Sequence, residues 1–205
     1  MVSRLRCFIG GILFCFFTSS FALHATENDD LVKAMMEVYA EELAANPQDY
    51  RTYYSRAMAY FGQGDMKKAL SDIDNAIKYF PRKEKDDLAQ AYLLRAKILS
   101  ERGETKSALT DLNSALRLVP NHRLALKDRG DLLCRLGQYD MAKIDYNHLL
   151  RMDTRSQSAF MGLARVEAHT GQPVRAKDLL AQAVNLSPKD PKIYLERSEI
   201  YKEMD

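Results

Sequence analysis

Tryptophan is absent from the 205 residues, glycine occurs nine times, proline six and cysteine three. Few glycines among many alanines, leucines and charged residues favour helices over a chain of short strands. Cys7 and Cys15 fall in an N-terminal apolar run, which leaves Cys134 alone in the rest of the chain. The mature chain therefore has no intramolecular disulfide, and packing must hold it. Cys134 reads as a small buried hydrophobe. His24, His122, His148 and His169 are scattered and none stands at metal-ligand spacing from cysteine or carboxylate. There is also no glycine-rich phosphate loop and no meaningful Ser-His-Asp order. No catalytic residue, metal or cofactor is nominated, and the chain reads as a non-enzyme. Charge of one sign is lacking too: with Arg4 and Arg6 set aside, the basic side chains equal the acidic ones in number. Such a balanced surface argues against nucleic acid as a partner.

The N-terminal segment 1–25 differs from the rest. A basic MVSRLR start precedes an apolar run from Cys7 to Leu23, and a polar segment follows. That layout predicts a secretory signal cleaved after Ala22 or Ala25. An uncleaved membrane anchor is the alternative, because the run is near the lower length of a span. Bulky Leu13 and Phe14 argue against lipid attachment at Cys15. The expected location is extracytoplasmic, periplasmic or envelope-associated.

Beyond the leader the sequence repeats. Tyr92, Ala96, Leu99, Gly103, Ala108, Leu112, Ala115, Leu116 and Pro120 describe two helices joined at a glycine and stopped at a proline. Tyr53, Ala57, Tyr60, Gly64, Ala69, Ile73, Ala76, Ile77 and Pro81 give the same order earlier, and a constant forward shift gives it twice more later. The repeats span 50–81, 89–120, 123–154 and 157–188 within a region 49–189. Pro81 and Pro120 stand further apart than one period, because the segment 82–86 has been added between them, which predicts a longer loop or an extra turn. A helix in 26–48, capped at Asn28 or Asp29 and carrying Leu31, Val32, Met35, Met36, Tyr39 and Leu43, is in register as a second half-repeat and reads as an N-terminal cap. A last helix in 190–205, with Ile193, Tyr194, Ile200 and Tyr201 on one side, reads as the C-terminal cap.

Two patterns carry physical content. Ala57 and Ala69, Ala96 and Ala108, Gly130 and Ala142, and Ala164 and Ala176 are small where the two helices of a repeat must cross. Tyr53, Tyr92, Leu126, Phe160 and Tyr194 would fill the layer between repeats. Arg56, Arg95 and Arg129 are followed at one constant interval by Asp72, Asp111 and Asp145, and the fourth repeat has Leu163 and Leu179 at those two places. Arginine goes with aspartate and leucine with leucine, which predicts an ionic bridge within each of the first three repeats and an apolar contact in the fourth.

On these residues the chain resembles the tetratricopeptide repeat family, whose period is about 34 residues and whose pattern is an aromatic, a small residue, a Tyr or Leu, then alanine, aromatic and proline. The resemblance covers essentially the whole mature chain. It implies an all-α, right-handed helical solenoid of antiparallel helix pairs, whose first helices line a concave groove for an extended or helical protein segment. Helical spacing then nominates Arg51, Tyr54, Met58 and Phe61 in the first repeat, Leu93 and Lys97 in the second, Lys127, Asp131 and Arg135 in the third, and Met161, Arg165 and His169 in the fourth. The groove would begin apolar and turn cationic, with Lys97, Lys127, Arg135 and Arg165 suited to an acidic partner. A subset of the family grips chaperone C-termini with a lysine, two asparagines, a lysine and an arginine. Tyr54, Met58, Leu94, Leu124 and Asp128 occupy the matching places here, so that clamp is absent. The implied function is a protein-binding scaffold, with an envelope-complex component or an accessory subunit of a cell-wall or secretion enzyme as alternatives.

Overall fold

The computed structural model describes the backbone of residues 20–204 and, from residue 30 on, the side chains. The leader expected over 1–25 lies outside the described residues as far as residue 19. Ten helices and no strand are found among the described residues: α1 (Ser20–Ala45), α2 (Tyr50–Gly62), α3 (Met66–Tyr79), α4 (Lys85–Glu101), α5 (Thr105–Leu118), α6 (Arg123–Arg135), α7 (Tyr139–Met152), α8 (Gln157–His169), α9 (Pro173–Leu186) and α10 (Pro191–Met204). Helices pack in adjacent pairs, α2 with α3, α4 with α5, α6 with α7 and α8 with α9, and each pair packs on the next. α1 rests on α2, and α10 rests on α8 and α9.

Local chemistry sets the hairpins. Gly64, Gly103, Gly137 and Gly171 sit at φ between 70° and 78°, a backbone region in which a side chain is strained, and each turns the first helix of a pair into the second. Asp65 caps α3 by accepting from the backbone N of Lys68. Asp49 likewise accepts from the N of Arg51 at the start of α2. Where the helices cross, Ala57, Ala69, Ala96, Ala108, Ala142, Ala164 and Ala176 are all buried. Small side chains there let the backbones approach. The added segment becomes an extra turn at the start of α4, whose Leu88 is buried in the core shared with Ile73 and Ile77.

Three sequence expectations change at the ends. α1 runs without a break through Asn28 and Asp29, so neither caps it; no glycine or proline interrupts the chain between Ser20 and Ala45. Its stripe is only half used, with Leu43 buried while Leu31 and Met35 stay exposed. On α10, Ile193 and Ile200 are buried but Tyr194 and Tyr201 are exposed, because a step to the next position turns the side chain by about 100°.

A candidate protein-binding face

An ionic bridge ties the two helices of each of the first three repeats together. Arg56 Nε and Nη2 donate to Asp72 at 2.6 and 2.8 Å, Arg95 to Asp111 at 2.7 and 2.7 Å, and Arg129 to Asp145 at 2.8 and 2.6 Å. Each is a two-pronged pair with the aspartate buried. Two of the arginines also reach back one repeat, Arg95 to Asp74 and Arg129 to Asn113, both at 2.8 Å. Leu163 is buried in the core and Leu179 packs against it, so the fourth repeat takes the apolar form.

With the pairs in register, the first helices lie side by side and present two cavities. One, of about 320 Å³, lies between α2 and α4 and is lined by Arg51, Tyr54, Ser55, Asp87 and Gln90 over Tyr50 and Phe80. The other, of about 260 Å³, joins Phe61 of α2 to Lys97, Ser100 and Glu101 of α4 and to Asp128, Asp131 and Arg135 of α6. Met58 is 51% exposed on α2, one turn from Tyr54 and one from Phe61. Seven of the twelve nominated residues thus line two neighbouring cavities or project beside them: Arg51, Tyr54, Met58, Phe61, Lys97, Asp131 and Arg135.

The other five stand differently. Leu93 and Met161 are each 3% exposed and belong to the core, which removes them from the face. Helical spacing gives a side chain's direction but not whether the next repeat covers it. Lys127 is bound to Asp131 at 2.7 Å and lies 3.8 Å from Asp128. Burial works to lower its ammonium, but Asp131, Asp128 and the charge of Glu196 together more than offset that and hold it above its ordinary value. Arg165 and His169 both face Glu203 of α10, at 3.9 and 3.3 Å, and the His169 ring stacks on Tyr139 with centres 5.1 Å apart. Of the four cations expected to meet an acidic partner, Lys97 and Arg135 alone have no carboxylate partner among the described residues.

The second cavity also holds an unspent acceptor. Asp128 Oδ2 is buried without a hydrogen-bond partner among the described residues. Burial raises its carboxyl above the usual carboxylate range, with Lys127 and Lys97 opposing the rise.

One contributor to this face was not nominated from sequence. Tyr146, on the second helix of its repeat, is fully buried, and its Oη donates to Asp131 Oδ1 at 2.7 Å. It passes between Gly130 and Gly162, where an added Cβ would meet its ring at 2.8 and 2.3 Å. Burial holds its phenol well above the ordinary value, so it donates at all physiological pH. The signal available in the sequence was Gly162, a mid-helix glycine where the other repeats carry Ser55, Leu94 and Asp128.

The family model described as tetratricopeptide repeat matches residues 36–87, 54–123, 93–142 and 127–191. No curated protein matches the sequence. A tetratricopeptide repeat protein of Parabacteroides merdae is 27% identical, with a TM-score of 0.75 over 87% of this chain and 69% of its own. YrrB, described as a TPR protein with an unusual peptide-binding site, is 20% identical with a TM-score of 0.68 over 87% of this chain and 89% of its own. TTC0263 of Thermus thermophilus, 22% identical, aligns at 0.58 over 89% of this chain and 95% of its own. The last two likenesses concern the fold.

Proposed function

Because the chain belongs to the tetratricopeptide repeat family, whose members are generally scaffolds for protein–protein interaction, we propose that it is a non-catalytic scaffold gripping an extended or helical segment of another protein in a groove along α2, α4, α6 and α8. The observation that carries this reading is the second cavity. Phe61 supplies an apolar wall, Lys97 and Arg135 are cations without carboxylate partners among the described residues, and Arg135 Nη2 donates to Ser100 Oγ at 2.8 Å, which orients its guanidinium. A segment with a carboxylate between Lys97 and Arg135 and an apolar residue toward Phe61 and Met58 fits it. The acidic partner read from sequence is thereby narrowed from four cations to two. The peptide-binding site named for YrrB is consistent with this use of the fold.

The test is affinity capture with the native chain and with a Lys97→Glu, Arg135→Glu variant of native circular dichroism. Loss of a captured protein from the variant alone supports the groove; an unchanged set of partners removes it.

The setting belongs to the same proposal. The leader supports export to a periplasmic or envelope compartment, with cleavage after Ala22 or Ala25. Among the described residues no helix is long and apolar enough to cross a membrane, so a membrane-anchored alternative depends on the leader. The intact mass of the protein recovered from its native compartment decides between them.

A further inference from the structure

α10 has the makings of half a repeat. In register with α2, its Tyr194, Arg197, Ser198 and Tyr201 stand where α2 has Tyr53, Arg56, Ala57 and Tyr60. The contacts match as well. Tyr194 Oη donates to the carbonyl of Pro188 at 2.9 Å, as Tyr53 Oη does to that of Pro47 at 3.3 Å. The Arg197 guanidinium lies over the Tyr194 ring, 5.1 Å from its centre, as Arg56 lies 5.8 Å from that of Tyr53. What differs is the partner. Arg56, Arg95 and Arg129 each close on an aspartate of the second helix of their own repeat. Arg197 holds the same place with no second helix and no carboxylate partner among the described residues. Around it Tyr194 and Tyr201, whose rings lie 5.1 and 5.9 Å from the guanidinium, are 39% and 36% exposed, where an end cap would be polar.

We propose that this face docks an amphipathic helix of a partner protein and so completes a fifth repeat. The chemistry of that helix follows from the helices that answer the same arginine elsewhere in the chain. Ala69, Asp72, Ile73 and Ala76 on α3, and Ala108, Asp111, Leu112 and Ala115 on α5, give a small residue, an aspartate three later, a large apolar residue next, and a small residue three beyond that. Small Ser198 permits close approach of the first small residue. The aspartate meets Arg197, and the large apolar residue covers Tyr201. The chain's own unpaired second half, α1, does not have this chemistry: in register it places Met35 at the small position and Val38 at the aspartate. The α1 helix of a second copy is therefore not the occupant. This surface is independent of the groove between α2 and α8.

The experiment uses a fluorescein-labelled synthetic peptide of residues 65–80, which carries the α3 pattern, titrated with the full chain and read by anisotropy. Saturable binding is expected. Arg197→Leu in the chain, or Asp72→Asn in the peptide, should each weaken it about tenfold, and both together no further, as a charge-assisted bidentate contact requires. Arg197 is on an outer face, so the variant should melt like the native chain. No binding, or binding indifferent to Arg197, overturns the proposal. So does loss of binding in the Lys97→Glu, Arg135→Glu variant, which would put the peptide in the groove. Sedimentation of the chain alone supplies the last arm: a dimer abolished by Arg197→Leu would make a second copy the occupant and overturn the separate partner.

Discussion

Arg129 and Asp145 are joined by two hydrogen bonds of 2.8 and 2.6 Å across the two helices of the third repeat, with the carboxylate almost wholly removed from solvent. Breaking such a pair from one side strands the other group, whereas replacing both sides with apolar groups does not. Asp145→Asn should therefore cost about 2 kcal/mol, a fall in melting temperature of roughly 4–8 °C for a chain of this size. The double change Arg129→Leu, Asp145→Leu should recover most of it, because the fourth repeat already uses Leu163 and Leu179 there. Thermal unfolding followed by circular dichroism reads both. A double variant no better than the single one contradicts the account.

Gly162→Ala forces a Cβ onto the ring of Tyr146, at 2.3 Å from its carbons. Overpacking of that kind costs about 1–3 kcal/mol. Tyr146→Leu in the same chain should relieve it, since Leu112 and Leu180 fill the corresponding slot in other repeats. Equal melting points for Gly162→Ala and the native chain would show that the ring moves aside freely.

Glu167 is a buried carboxylate at a place where the other repeats have Tyr60, Leu99 and Leu133, and it is held by Lys143 at 2.8 Å and Arg175 at 3.3 Å. The two cations keep access to water, but the carboxylate does not. Lys143→Leu should thus destabilise by about 1–2 kcal/mol, while Glu167→Leu, which leaves only solvated cations behind, should be close to neutral. Urea midpoints of the two variants measure the asymmetry, and the reverse order would refute it.

Asp128 gives a pH dependence with a definite sign. Its folded carboxyl is raised above the unfolded value by burial, so between those two values the folded state binds more protons and stability falls as pH rises. Asp128→Asn removes the buried charge and should melt higher than the native chain wherever the folded carboxyl is ionised. The gap should close as pH falls through the carboxylate range. A gap that stays constant across that range would mean the carboxyl is not the cause.

The hairpins and the Arg–Asp pairs were legible because they recur: Ala57 and Ala69, or Arg95 and Asp111, are informative only beside their counterparts one period away. The face was partly legible for the opposite reason. Spacing alone put Leu93 and Met161 beside Tyr54, yet two are covered and one is not, which is a property of how neighbouring repeats nest. The quenching of Lys127 could have been read from Asp131 one turn later on the same helix. That of Arg165 could not, since Glu203 comes from another helix, two elements further along the chain. Glu167 and Gly162 were visible as departures from their slots, but a departure does not say what it accommodates.

The Tyr146 ring makes the last two repeats a matched pair. It belongs to the third, and the space it needs is left by Gly130 of that repeat and Gly162 of the next. A fourth repeat replaced by a copy of the second would bring the counterpart of Leu94 against the ring. The array consequently does not tolerate shuffling at that junction, however interchangeable its units look in outline, and a chimaera cut there would have to carry both glycines and the tyrosine together.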